Sequence, residues 1–266
     1  MSGAELTPEE LARIARSPGW RAQRMEVFDT GLGKVLVKAA RPAERHPARY
    51  WLLNALARAT GTGLLQAVPL HGGQRGLQTE VARLRALHAA GARVPRVLHV
   101  APDHFVMQRL GNEHLFNLLQ ARHPEAAALW REAGDALVQL HAHGQYLSQA
   151  FARNLLVDTR VQPARLAGAI DFEDDPLEVM ALADAQARDW LTFWHSSLWL
   201  LPQADAEAQM RAWLAQESTA VRERIAQAGR RLGWLRHLPR QRRWGRDTVA
   251  LQAVAAALHR HAQAVA

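Results

Sequence analysis

The sequence predicts an α+β chain of two lobes, a small lobe with an antiparallel sheet over residues 1–108 and a mostly helical lobe over 109–266. Three observations carry this. Short apolar runs broken by Gly and Pro turns cluster before Gln108. After Gly111 the apolar spacing becomes helical. One hairpin pattern interrupts the helical half. Its runs are Leu155–Val157 and Leu166–Ile170, and an antiparallel pairing sets Asn154 beside Asp171.

In chain order, Thr7-Pro8-Glu9-Glu10 ahead of Leu11 and Ile14 is a helix start, with a Thr cap, Pro at the first position and acidic residues in the first turn. The helix should stop near Ser17-Pro18-Gly19. Gln23–Asp29 and Lys34–Ala39 flank Thr30-Gly31-Leu32-Gly33 and predict a β-hairpin. Pro47–Thr60, with Tyr50, Leu53, Leu56 and Ala57 at helical spacing, predicts a helix, and Leu64–Leu70 another short strand. Gly76–Ala89 carries Leu77, Val81, Leu84 and Leu87 on one stripe, with Glu80 one position off it. Arg96–Ala101 and His104–Gln108 predict the last two strands of a five-stranded antiparallel sheet. Helices are expected from Leu115, over Glu125–His143, Ala181–Leu201, Ala204–Ala215 and Ser218–Gly229, and finally over Thr248–Ala264.

A chain of 266 residues can bury a substantial core. With no cysteine, disulfides and Cys-ligated zinc are excluded. The N-terminus lacks a basic stretch followed by an apolar core, and no apolar run reaches 18 residues. A cytoplasmic protein, at most peripheral at the inner membrane, is therefore expected. The formal charge of +8 is concentrated between Val221 and Arg246, where nine Arg face one Glu and Trp234 and Trp244 interleave. Such a run either meets an anionic membrane surface or nucleic acid, or is a solvated face. Lysine occurs twice, at Lys34 and Lys38, against 31 Arg. Lys34 suits an edge strand kept from aggregating. Lys38 suits either that role or a phosphate site.

Several stretches together resemble the protein-kinase-like superfamily across roughly residues 25–190. Arg153-Asn154-Leu155-Leu156-Val157 is similar to the Asn end of a kinase catalytic loop, and Ile170-Asp171-Phe172-Glu173 to its Asp-Phe-Gly metal site. The Asp-Phe-Glu form is similar to atypical bacterial and archaeal kinases. These include the lipopolysaccharide core (Kdo and heptose) kinases and the kinase of the tRNA-modifying KEOPS complex. Gln78-Thr79-Glu80-Val81, followed by Leu84, Leu87, Gly91 and Val94-Pro95, resembles the same group.

The resemblance implies a protein-kinase-like fold and specific roles. Lys38 would contact the α- and β-phosphates of ATP, held there by Glu80, whose alternatives are Arg83 or solvent. Gln108-Arg109-Leu110 would be the hinge, where the backbone of Gln108 and Leu110 meets the adenine edge. Asn154 and Asp171 would hold Mg²⁺, with Glu173, Asp174 and Asp175 an acidic turn beside them. Asp189 would bond the loop backbone, and His141 and His143 would be structural. The loop departs from the pattern where it usually reads His-Gly-Asp: Leu147-Ser148-Gln149 stands there, with Gln149 at the base position five residues before Asn154. Gly31 and Gly33 do not form the Gly-rich loop. Three functions follow. One is a kinase in which Gln149 or Ser148 orients an acceptor alcohol, such as a sugar of a lipid-linked lipopolysaccharide-type precursor. Another is an ATP-binding pseudokinase that regulates a protein partner. The third is a helical binding protein whose basic tail meets nucleic acid or membrane.

Overall fold

The computed structural model describes residues 5–40, 54–55 and 61–264. It is an α+β structure with a small antiparallel sheet and a mostly helical remainder. Helix α1 (Pro8–Arg16) begins with a complete capping box, in which Thr7 and Glu10 satisfy each other's backbone N–H groups. A short α2 (Gly19–Gln23) follows, which periodicity did not reveal. It buries Trp20, whose indole N–H donates to the Ile14 carbonyl at 2.8 Å.

Strands β1 (Met25–Thr30), β2 (Gly33–Ala39), β3 (Val97–Val100) and β4 (His104–Gln108) form an antiparallel sheet in the order β1-β2-β4-β3. The period-two alternation of strands gives this sheet two apolar faces. Val35, Val37 and Val106 pack against Ile14 and Trp20 on one side. Phe105 and Met107 enter the main core on the other.

The sheet has four strands among the described residues, not five. Leu64–Leu70 begins as a 3₁₀ turn (Gly63–Leu65) and joins neither sheet; Leu70 forms an isolated antiparallel bridge with Asp174. Arg188 donates to the Gln66 carbonyl at 2.6 Å, and Asn54 accepts from the Ala67 N–H at 3.0 Å. Leu64, Ala67 and Val68 are buried, so the apolar signal there reports core packing. Apart from the helical Asn54 and Ala55, the helix expected over Pro47–Thr60, with Tyr50, Leu53, Leu56 and Ala57, lies outside the described residues.

Helix α3 (Gly73–Ala89) starts three residues before the expected Gly76 and buries Leu77, Val81, Leu84 and Leu87. The helical part comprises α4 (Leu115–Gln120), α5 (Ala126–Ala142), α6 (Leu182–Ser197), α7 (Gln203–Leu214), α8 (Thr219–Leu232) and α9 (Arg246–Ala264). A second small sheet, β5 (Glu113–His114), β6 (Leu155–Asp158) and β7 (Arg165–Ala169), runs antiparallel in that order. The basic run folds as most of α8, two 3₁₀ turns and the start of α9. Part of its charge is used internally: Arg224 pairs with Asp184, and Arg231 donates to the Gly61 carbonyl. No helix among the described residues is long and apolar enough to cross a membrane.

The helical core is built on indoles. Trp213 lies 4.6 Å from Trp130 and 5.4 Å from Trp190 between ring centroids, and Trp190 stacks on Trp194 at 5.1 Å. Gly134 of α5 lets the Trp213 ring approach, since a Cβ there would stand 2.1 Å from its Cζ2. Gly134→Ala should therefore destabilise the protein although Ala is the better helix former. The overpacking cost of about 1–3 kcal/mol exceeds the propensity gain of about 0.5–1 kcal/mol. Urea unfolding of the two proteins would show it as a lower midpoint, and a raised midpoint would refute this account of the core.

Candidate functional site

A cleft of about 910 Å³ opens between the two sheets. Val27, Leu36 and Met107 of the four-stranded sheet and Leu156 and Ile170 at the three-stranded sheet give it apolar walls. Its polar lining includes Lys38, Glu80, Asn154, Asp171 and Glu173.

Lys38 reaches this cleft by strand alternation. Val35 and Val37 point to the outer core, so Leu36 and Lys38 point inward. Lys38 is buried, and an unpaired ammonium there would be expensive. Its Nζ lies 2.7 Å from Glu80 Oε1, 2.8 Å from Glu173 Oε1 and 3.7 Å from Asp171 Oδ1. Arg24, which leaves α2 with φ of 69°, pairs with Glu173 from the other side. Burial alone would depress the Lys38 ammonium, but the attraction of Glu80, Glu173 and Asp171 more than offsets this and holds it above its ordinary value. Burial pushes Glu80 up, against the pull of Lys38. Burial also opposes ionisation of Glu173, yet Lys38 and Arg24 overcome it and bring the carboxyl down to about 2. Among the described residues, Lys38 and Arg24 thus face three carboxylates, Glu80, Asp171 and Glu173.

The hairpin sets the opposite wall. Leu155 pairs with Ala169, and the Ile170 N–H donates to the Asn154 carbonyl at 2.9 Å, so Asn154 and Asp171 emerge together. Asn154 is buried, and its amide nitrogen donates to the Gln149 carbonyl at 3.1 Å. Asp171 takes φ of 75°, a left-handed conformation that Asp tolerates better than most residues. Its side chain stays about one-third exposed. Gln108 and Leu110 line the cleft where β4 leaves the sheet. The N–H groups of Gln108 and Arg109 are bonded to the Arg96 and Lys34 carbonyls, and no described backbone group accepts from the Leu110 N–H.

Gln149 is placed elsewhere. It does not line the cleft, and its amide nitrogen donates to Asp174 Oδ1 at 3.3 Å. Ser148, at φ of 75°, donates to the same oxygen at 2.6 Å. Asp174 is buried, which raises its carboxyl, while the bonds from Ser148 and Gln149 pull the other way. Asp175 caps the next turn and accepts from the Tyr146 hydroxyl. The acidic turn therefore divides its labour: Asp171 and Glu173 face Lys38, Asp174 holds the loop, and Asp175 braces Tyr146. Arg83 is not the partner of Glu80; it stacks 3.8 Å over the Tyr146 ring and donates to the Tyr146 carbonyl.

Behind the loop, Asp189 Oδ2 accepts from the Leu147 N–H at 2.6 Å. His141 is buried between Glu217 at 2.7 Å and Asp189 at 3.4 Å. Burial disfavours its charged form, but the bonds to Asp189 and Glu217 hold the imidazole above its ordinary value. His143 meets the Gln139 carbonyl at the end of α5. His141 is thus bound into the scaffold behind the loop, while His143 is exposed at the helix end. Sequence reasoning missed Arg24 and the separate tasks of Glu173 and Asp174; the spacing of Glu173, two residues from Asp171, was the available signal.

A scan against protein-family models finds no family that matches the chain, and a search of the curated proteins finds no match.

Because Glu173 is more acidic in the folded protein, its contribution to stability is complete above its ordinary pKa of 4.5 and is lost as pH falls towards about 2. Glu173→Gln should flatten this acid limb. At pH 7 it should cost about 1–3 kcal/mol, less than the roughly 3–5 kcal/mol of an uncompensated buried charge, because Glu80 still pairs with Lys38. Urea unfolding between pH 2.5 and 7, as conditions bracketing the shift, would check it; identical acid slopes in variant and wild type would contradict this role.

Proposed function

We propose that this chain is a two-lobed, protein-kinase-like phosphotransferase that binds Mg-ATP in the cleft and passes its γ-phosphoryl group to an alcohol. The observation that carries the reading is the buried Lys38, aligned by Glu80 and facing Asp171, with Asn154 beside Asp171. The apolar walls suit a planar base, and the Leu110 N–H is available to its edge. Lys38 would hold phosphate oxygens while Glu80 fixes its direction.

The residues present fit a magnesium ion. Mg²⁺ takes oxygen ligands, commonly one or two carboxylates plus phosphates and water. Asp171 offers a partly exposed carboxylate, and Asn154, its nitrogen bonded to Gln149, offers its carboxamide oxygen. Among the described residues no three acidic, imidazole or thiol side chains converge as a cation site, so the nucleotide would complete the set. When bound, the ion would neutralise charge on the phosphates.

The acceptor is proposed to be a sugar of a lipid-linked, lipopolysaccharide-type precursor, reached at an anionic membrane surface through the tail. Trp234 and Trp244, 57% and 58% exposed amid arginines, support that contact. A second reading, an ATP-binding pseudokinase that regulates a partner protein, is favoured by one observation. Gln149 is turned to Asp174, so no proton acceptor stands at the loop position that faces an acceptor alcohol. General-base help is typically worth ~10²–10⁴-fold, so its lack slows transfer without touching nucleotide binding.

Thermal melts with and without Mg-ATP test the reading. At ~100 times the dissociation constant the ligand adds ~2.7 kcal/mol, a clear rise in the melting temperature. Asp171→Asn, which tolerates the left-handed backbone, should keep the apo melting temperature and lose the rise. A wild type indifferent to Mg-ATP would refute both nucleotide readings. Release of ADP coupled to phosphorylation of a sugar acceptor separates the transferase from the pseudokinase.

A further inference from the structure

A smaller cavity of about 90 Å³ adjoins the cleft, well above the ~10–15 Å³ that a single water requires. Arg153 lines both spaces and immediately precedes Asn154. Phe116, Phe151, His195, Arg246 and Asp247 also line the smaller one, Asp247 from the first turn of α9. The two guanidinium groups are pre-oriented. Arg153 lies 4.1 Å over the Phe151 ring and Arg246 5.3 Å over the Phe116 ring. Ring contacts of this kind do not use the N–H donors, which stay available to a partner. Neither group forms an ion pair with a carboxylate of the described residues; the pairs of neighbouring arginines, such as Arg160 with Asp158, show what such pairing looks like here. Asp247 offsets one of the two charges, leaving a surplus of one. His195 is half-buried at the cavity, where burial keeps its imidazole below its ordinary value, Asp247 opposes this, and Arg153 and Arg246 reinforce it. The His114 imidazole contacts the Arg153 carbonyl and fixes this backbone beside the cleft.

We propose that this cavity binds an oxyanion, a phosphate or carboxylate group, belonging to the molecule that receives the phosphoryl group in the adjoining cleft. The acceptor role rests on the phosphotransfer reading; the anion site itself rests on Arg153, Arg246 and the cavity. Forked N–H edges suit bidentate binding of either group. A subsite so close to Asn154 would orient the acceptor hydroxyl through a remote charge, the kind of positioning that a loop without a base Asp depends on.

The experiment follows the His195 ring signals by NMR, assigned by their loss in His195→Gln, during titration with inorganic phosphate and with acetate at ionic strength held constant with chloride. A saturable shift with at least one anion is expected, and the tighter of the two identifies the group. Arg153→Ala and Arg246→Ala should each weaken it at least tenfold. Asp247→Asn should tighten it severalfold, a gain that damaged folding cannot imitate. Asp171→Asn should leave it unchanged. A linear response like that to chloride, or equal affinity in wild type and Arg246→Ala, would overturn the anion site. Mg-ATP melts on the same samples separate the two readings. A nucleotide shift without anion saturation removes the subsite alone. Anion saturation without a nucleotide shift overturns its acceptor role.

Discussion

Placing one ammonium in the interior organises this structure. Lys38 is largely withdrawn from solvent, and the chain brings carboxylates to it from distant segments. Glu80 comes from α3, and Asp171 and Glu173 come from beyond the hairpin of the other sheet. Each partner lies on a different element, so the ion cluster couples the four-stranded sheet, its helix and the segment after β7. Arg24 extends the cluster to the start of β1. Such a cluster is a poor source of net stability, because desolvation consumes much of the attraction. Its strength is geometric. Three carboxylates share Lys38, so the directions of Lys38 and Asp171 are jointly determined.

The opposite wall is held by a second polar system that never enters the cleft. His141, Glu217, Asp189 and the Leu147 N–H connect α5, the α7–α8 junction, α6 and the loop. The Trp190 indole adds a bond to Glu217 at 2.7 Å. The loop is thereby fixed from behind by the tryptophan-rich core and from the front by Asp174. This arrangement accounts for the positive φ of the non-glycine residues Ser148 and Asp171. The surrounding bonds over-determine the backbone, which is how sparsely populated conformations persist.

Much of this was legible in sequence, for identifiable reasons. Lys38 stood out because arginine carries nearly all other positive charge, and its inward direction follows from alternation with Val35 and Val37. The adjacency of Asn154 and Asp171 follows from hairpin pairing alone. The stripe of α3 was plain, and Glu80 could be set beside it. Leu64–Leu70 misled because buried apolar residues give the same signal whether their backbone pairs in a ladder or is capped by Arg188 and Asn54. The task of Glu173 had a signal in its two-residue spacing from Asp171, whereas that of Asp174 depends on a side-chain bond to Ser148 that the sequence does not indicate. Arg24 depends on its positive φ, at a residue type that gives no hint of one.

Gln149 and Asp174 are best understood as one choice. The amide donates to a buried carboxylate that also accepts from Ser148. A carboxylate at 149 would face Asp174 at hydrogen-bond distance, and two like charges so close cannot both ionise without cost. Given a buried Asp at 174, an amide at 149 is the side chain that satisfies it. Gln149 thus fastens the loop to the acidic turn, and the turn to the wall carrying Asp171. On the phosphotransfer reading, this shifts the demand from proton removal to placement. Phosphoryl transfer through a loose transition state tolerates that exchange, since charge neutralisation and alignment supply most of the rate. It also makes the direction of the acceptor hydroxyl the critical variable, which is why Arg153, one residue from Asn154 and shared by both cavities, matters as much to this reading as Lys38 does.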